Sequence, residues 1–125
     1  MGGNDLLKGL RVVENSLLGP GLVGTFLSDL GAEVIKVESP SGDYIRQMTW
    51  PIIEGNSLLH LHTHRGKKSI AINLKDEDGA EIYRKLLKEA DVVVEAMRPG
   101  TLERLGFGFG ELLEINPKIV FCTIS

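Results

Sequence analysis

A chain of 125 residues with 42% apolar residues is one domain's worth of material, enough to fill a single hydrophobic core. Its net charge of −3 argues against a nucleic-acid binder, and it has no run of about 18 apolar residues with which to cross a membrane. The lone cysteine, Cys122, excludes an internal disulfide, points to a reducing cytoplasm and reads as a small buried hydrophobe.

The N-terminal MGGNDLLKGL lacks the basic start and apolar core of a secretory signal. Leu10 to Val13 is the first apolar run and is predicted as a strand, followed by Glu14 to Leu18 and then Gly19. Pro20 suits the first turn of a helix, where its missing N–H costs nothing. Leu22, Phe26 and Leu30 recur beside Val23 and Leu27, which predicts one buried stripe. Gly31 stands where a helix end wants a left-handed residue, and Ala32 to Glu38 is the second strand.

Residues 39–66 hold Pro40, Gly42, Pro51, Gly55 and Gly66 and read as an irregular excursion with one short helical or strand piece. Met48 and Trp50 within it are predicted to pack into a loop core, the alternatives being that they face a partner subunit or a bound ligand. Lys68 to Leu74 is a third strand, and Asp76 is placed to cap the next helix, with Glu77 and Asp78 at its positive end. Ile82, Leu86 and Ala90 with Tyr83 and Leu87 form that helix's apolar face. "DVVVE", Asp91 to Glu95, is a fourth strand whose consecutive valines imply burial on both sides. Short helical pieces follow at Thr101–Leu105 and Phe109–Ile115; Pro117 breaks the second, and Lys118 to Ile124 is a fifth strand.

Alternating strands and helices predict an α/β fold over residues 1–125: a Rossmann-like, open, mainly parallel sheet of about five strands flanked by helices. Such sheets hold ligands just beyond the carboxyl ends of their strands. The sequence stops there, so it reads as a truncated part of a larger domain.

Gly19-x-Gly21-x-x-Gly24 with Glu38 further on is the written form of a dinucleotide fingerprint. Its context is wrong: the first glycine stands well clear of the strand, and Pro20 removes a backbone donor that a phosphate would use. The glycines read instead as a turn and a close helix–sheet approach. His60, His62 and His64 alternate, which on a strand would put them on one face. With no nearby cysteine or carboxylate, they read as domain-edge packing or the lining of a ligand pocket, and no metal is assigned.

"LKGLRVVE", the Gly19-Pro20 pair, "LGAEVIKVE", "RGKKSIAINLK", "ADVVVEAMRPGTLERLG" and "NPKIVF" occur in order across essentially the whole chain. Together they resemble the N-terminal part of the family III CoA-transferases, the superfamily of formyl-CoA and carnitine CoA-transferases and α-methylacyl-CoA racemases. The resemblance implies a longer, interlocked homodimeric enzyme that moves CoA between carboxylic acids through an aspartyl nucleophile, or a racemase using aspartate and histidine. Those catalytic residues lie beyond residue 125, so none is assigned within the chain. CoA or acyl-CoA is then a substrate, with no permanently bound cofactor.

By the same resemblance Leu17 and Leu18, the strand end Ile72, Asn73, Leu74 and Lys75, the loop Ala96, Met97 and Arg98, and Arg104 occupy CoA-contacting positions. Two departures stand out. Ser39 replaces an arginine that family members often carry, and Ala96 replaces an asparagine. Read without the resemblance, Lys75, Arg98 and Arg104 are either phosphate contacts or solvated charges, and Arg65, Lys67 and Lys68 either steer an anion or form a solvated edge. A noncatalytic nucleotide-binding or interaction module is the alternative of a different class.

Overall fold

The computed structural model describes residues 5–125. Its elements are β1 (Arg11–Asn15), α1 (Gly21–Asp29), β2 (Glu33–Glu38), a 3-10 turn (Tyr44–Gln47), β3 (Ile52–Ile53), β4 (Asn56–Ser57), α2 (Leu58–Thr63), β5 (Lys68–Ala71), α3 (Glu77–Lys88), β6 (Val92–Glu95), α4 (Thr101–Arg104), α5 (Phe109–Ile115) and β7 (Val120–Thr123). Five strands pair in the order β5-β2-β1-β6-β7, all in parallel, and β3 and β4 form a separate antiparallel hairpin. The open, parallel α/β sheet is therefore as the sequence predicts. Strand order reverses between β1 and β6, and that reversal opens a crevice at their carboxyl ends.

The larger core lies on the α3–α5 side, where Val13, Val37, Tyr83, Val93 and Phe107 are buried. The Tyr83 and Phe107 rings meet edge to face at 4.7 Å between centroids. Val12, Ala32, Val34 and Val94 form a smaller core on the other face. Val93 and Val94 thus face opposite sides, as buried consecutive valines must.

Chain order breaks the expected pattern in particular places. β1 runs to Asn15, so Glu14 and Asn15 belong to the strand rather than to the glycine loop. The predicted α1 stripe is split: Val23 and Leu27 pack on the smaller core, whereas Phe26 is 57% exposed and Leu30 is also exposed. The face of α1 that is buried is Gly21, Gly24 and Thr25. Gly24 lies against the Glu14 carboxylate, so closely that a Cβ there would fall 2.8 Å from Oε2. Gly31, at φ 100°, closes α1 as predicted; its N–H donates to the Ser28 carbonyl and that of Ala32 to Leu27, the paired bonds of a Schellman motif.

In α3 the buried residues are Gly79, Ala80, Tyr83 and Leu87, while Ile82 is exposed because it lies about 100° around the helix from Tyr83. β5 ends at Ala71, three residues early; Ile72 N–H still reaches the Glu38 carbonyl, and then Asn73 turns the chain by accepting from Asp76 N–H. Asp76 precedes α3 as predicted but makes no side-chain cap. β7 is confined to Val120–Thr123, and Cys122 is half-buried at the rim of the smaller core. The excursion carries far more order than one short piece: the 3-10 turn, the β3–β4 hairpin and α2 all fall in it. Trp50 and Met48 do not pack into it; they are 82% and 48% exposed.

Candidate functional site

The crevice at the strand reversal is a cleft of about 320 Å³. Ser16 and Leu17 from the end of β1, Ser39 and Tyr44 from the loop after β2, and Ala96 and Met97 after β6 line it. A second hollow of about 180 Å³ adjoins it and shares Val37, Glu38, Ser39 and Met97. Ile72, Asn73, Leu74 and Lys75 form its far wall, with Thr101 and Leu105 from α4 and the residue after it.

The residues singled out in the sequence fall as follows. Leu17, Ala96 and Met97 line the first cleft, and Ile72 through Lys75 with Met97 line the second hollow. Leu18 lines neither; its φ of 53° turns the chain so that its carbonyl accepts from Gly21 N–H. Arg98 is exposed and also lines neither. Arg104 is exposed on α4, its Nη2 donating to Thr101 Oγ1 at 3.1 Å, so it stands beside the second hollow rather than in it. Tyr44 and the Ser41–Asp43 stretch are wall residues that the sequence reading missed. The signal was present in Gly42-Asp43, where Asp43 caps the 3-10 turn by accepting from Ile45 N–H at 3.0 Å.

Carboxylates at the rim are fasteners. Glu38 accepts from Arg46 Nη2 at 2.6 Å, Arg46 Nε at 3.1 Å, Ser69 Oγ at 2.6 Å and Asp43 N–H at 2.7 Å. Burial alone would raise its pKa, but those donors outweigh it and bring the pKa down to about 2. A dinucleotide ribose would need that carboxylate free to accept from its hydroxyls. Here Glu38 is fully engaged, and the glycine fingerprint has no acid to complete it. Glu95 accepts from Met97 N–H at 2.6 Å and from Thr123 Oγ1 at 2.8 Å, which fixes the Ala96–Met97 loop. Asn15 Nδ2 donates to the Tyr83 hydroxyl, tying the end of β1 to α3.

The basic run resolves into separate roles. Lys67 is buried, its Nζ 2.7 Å from Glu14 Oε2 and donating to the Gly21 carbonyl at 2.6 Å, so it neither steers anions nor forms a solvated edge. Arg65 and Lys68 pair on the surface with Asp29 and Glu33. The histidines lie on α2 and its C-cap, not on a strand. His60 and His64, one helical turn apart, stack at 4.4 Å, while His62 is exposed on the opposite side beside Trp50. Among the described residues no group of three His, Cys, Asp or Glu converges as metal ligands do.

Residues 7–125 match the model of CoA-transferase family III. The chain is 36% identical over 121 residues to the succinyl-CoA–L-malate CoA-transferase beta subunit of Chloroflexus aurantiacus, covering 95% of this chain and 30% of that protein. It is 40% identical to the human succinyl-CoA:glutarate CoA-transferase, covering 95% of this chain and 28% of that one. A solved CAIB/BAIF family protein from Brucella suis superposes with a TM-score of 0.93 at 42% identity, over 98% of this chain and 34% of that protein. The chain therefore spans about 30% of the length of the curated relatives it matches. With a family model covering nearly every residue, this chain belongs to the family III CoA-transferases.

Proposed function

We propose that this chain forms one side of the CoA site in an enzyme that transfers CoA between carboxylic acids, its aspartyl nucleophile lying beyond residue 125. The carrying observation is that the two hollows at the strands' carboxyl ends adjoin, sharing Met97, Ser39 and Glu38 as walls, so that together they form a trough with Lys75 in the lining of the second. CoA has matching parts: phosphates for a cationic end, a long arm for an apolar floor, and an adenine for a slot. Lys75 meets the phosphates, with Arg104 standing beside the same hollow. Ile72, Leu74 and Met97 provide the floor, Asn73 a polar group along the arm, and Leu17 and Ala96 border the adenosine; Leu18 and Arg98, outside both hollows, are CoA contacts by the family resemblance alone.

The carboxylates this chain brings to the trough are tied in hydrogen bonds, which suits a wall that binds and orients while another segment supplies the nucleophile. CoA enters as substrate, and the enzyme works as a homodimer in the cytoplasm, in keeping with the family resemblance. The test is isothermal titration of the full-length protein with CoA. Lys75→Ala and Arg104→Ala are each expected to weaken binding about tenfold, the worth of one phosphate contact. Unchanged CoA affinity in both variants, or NADH binding in place of CoA, would overturn the reading.

A further inference from the structure

Beneath α1 and α2 the carboxyl half of the sheet carries a polar layer. Glu14, Lys36 and Ser69 lie side by side across β1, β2 and β5. Two acids of the layer are closely paired: Glu14 with Lys67 at 2.7 Å and with Ser16 Oγ at 2.5 Å, and Glu38 with Arg46, Ser69 and the Asp43 N–H. Lys36 is left over. It is 1% exposed, its Nζ makes no hydrogen bond among the described residues, and Asp43 Oδ2 lies 3.4 Å away. His64 Nε2 is 3.4 Å from the same oxygen and is likewise without a hydrogen bond. His60, 8% exposed and stacked on His64, has no partner at either ring nitrogen.

Lys36, His60 and His64 line a hollow of about 290 Å³ together with Glu38, Arg46, Lys67 and Ser69, whereas Asp43 lines the first cleft instead. Lys36 and His64 share one Asp43 oxygen at a long 3.4 Å each, Thr63 Oγ1 engages only the Nδ1 of His64, and His60 has no partner among the described residues; burying polar groups so thinly satisfied is unfavourable, and a polar guest would complete the cluster. The Glu38–Arg46 pair borders this hollow, and Glu38 also lines the trough described above, whereas Lys36, His60 and His64 line this hollow alone.

The donors and acceptors decide what the guest is. Lys36 only donates, and behind it stands the Asp43 carboxylate, whose pKa burial would raise but which His64, the Ile45 N–H and Lys36 hold below its ordinary value. Burial, then the charges at His64 and Arg46, lowers the His60 pKa to about 4, so at neutral pH its ring offers one N–H and one lone pair. A carboxylate or sulfate, which can only accept, would leave the His60 lone pair without a donor. A hydrogen phosphate both accepts and donates.

We propose that the hollow between Lys36, His60 and His64 binds a hydrogen-phosphate group, as inorganic phosphate or as the monoester of a small metabolite. The site is distinct from the CoA trough and stands or falls without it. The experiment follows the melting temperature of the full-length protein at neutral pH against inorganic phosphate, glycerol 3-phosphate and sulfate, with sodium chloride at matched ionic strength as the baseline. Phosphate raises the melting temperature with millimolar half-saturation, and sulfate acts about tenfold more weakly for want of a proton to donate. The response disappears in Lys36→Met and in His60→Phe and persists in Lys75→Ala, which places it outside the trough. An equal or stronger response to glycerol 3-phosphate assigns the ester, and a weaker one the free ion. Equal responses to phosphate and sulfate, an undiminished response in Lys36→Met or His60→Phe, or its loss in Lys75→Ala would overturn the proposal. Should both core variants fail to fold, crystals of the unsubstituted protein soaked in phosphate decide: a tetrahedral ion on Lys36 Nζ supports the site, and water alone refutes it.

Discussion

Lys67 reaches Glu14 from 53 residues away and closes on it at 2.7 Å, with neither side chain more than 1% exposed. The pair holds the start of α1 to the sheet, since the same ammonium also donates to the Gly21 carbonyl. Lys67→Met leaves a buried carboxylate without its cation and is expected to destabilise by about 3–5 kcal/mol, whereas Glu14→Gln with Lys67→Met together recovers much of the loss. Urea denaturation of the single and double variants measures the difference. A single variant as stable as the unsubstituted protein would contradict the role given to the pair.

Acid sensitivity follows from Glu38. Its folded pKa of about 2 lies below the ordinary value of 4.5, so its stabilisation is complete above about pH 4.5 and fades as the pH falls through 2. A shift of that size is worth about 3 kcal/mol. Arg46→Met removes two of the donors and is expected to be less stable at neutral pH and to lose less between pH 4.5 and 2, a flattening visible in denaturation midpoints taken across that range. Parallel pH curves would show that other groups set the acid limb.

Two helical glycines are expected to behave oppositely. A Cβ on Gly79 would fall 2.1 Å from the Asn73 carbonyl oxygen, so Gly79→Ala forces apart α3 and the loop carrying Lys75. It is expected to cost about 3 kcal/mol and to weaken CoA binding with it. Gly110, inside α5, has nothing within 4 Å of the same position, and Gly110→Ala is expected to stabilise by about 0.5–1 kcal/mol. Thermal melts of the two variants, read together, check both signs.

Ser39 borders both hollows and bonds only locally, its Oγ against Ser41 Oγ and the Gly42 carbonyl. Ser39→Arg introduces a guanidinium where the two hollows adjoin. It is expected to tighten CoA about fivefold, close to 1 kcal/mol, with a smaller gain for CoA lacking its 3′-phosphate. Calorimetry with the two ligands distinguishes a phosphate contact from a general charge effect.

Periodicity made the sheet legible. Continuous or alternating apolar runs marked all five strands, and Gly31 and Pro20 bracketed α1 correctly within a residue. What stayed hidden were the places where polar side chains are buried in pairs. Glu14 and Lys67 each look like surface residues until the fold joins them, and Gly24 looks like part of a phosphate loop until Glu14 is found beneath it. Phe26 and Ile82 were misplaced for a related reason: an apolar residue on a helix does not by itself say which face meets the sheet. In the trough, Ile72–Lys75 and Met97 could be read from family motifs, whereas Tyr44 lies in a stretch without periodicity and came into view only with the loop's path.

Val12 in β1 pairs with Val34 on one side and with Val92 on the other, and that second neighbour comes 80 residues later. At a synthesis rate of about 5–20 residues per second, β1 leaves the ribosome roughly 4 to 16 s before β6 exists to cover it. Throughout that interval the middle of the future sheet is a bare apolar edge, open to pairing with another nascent chain.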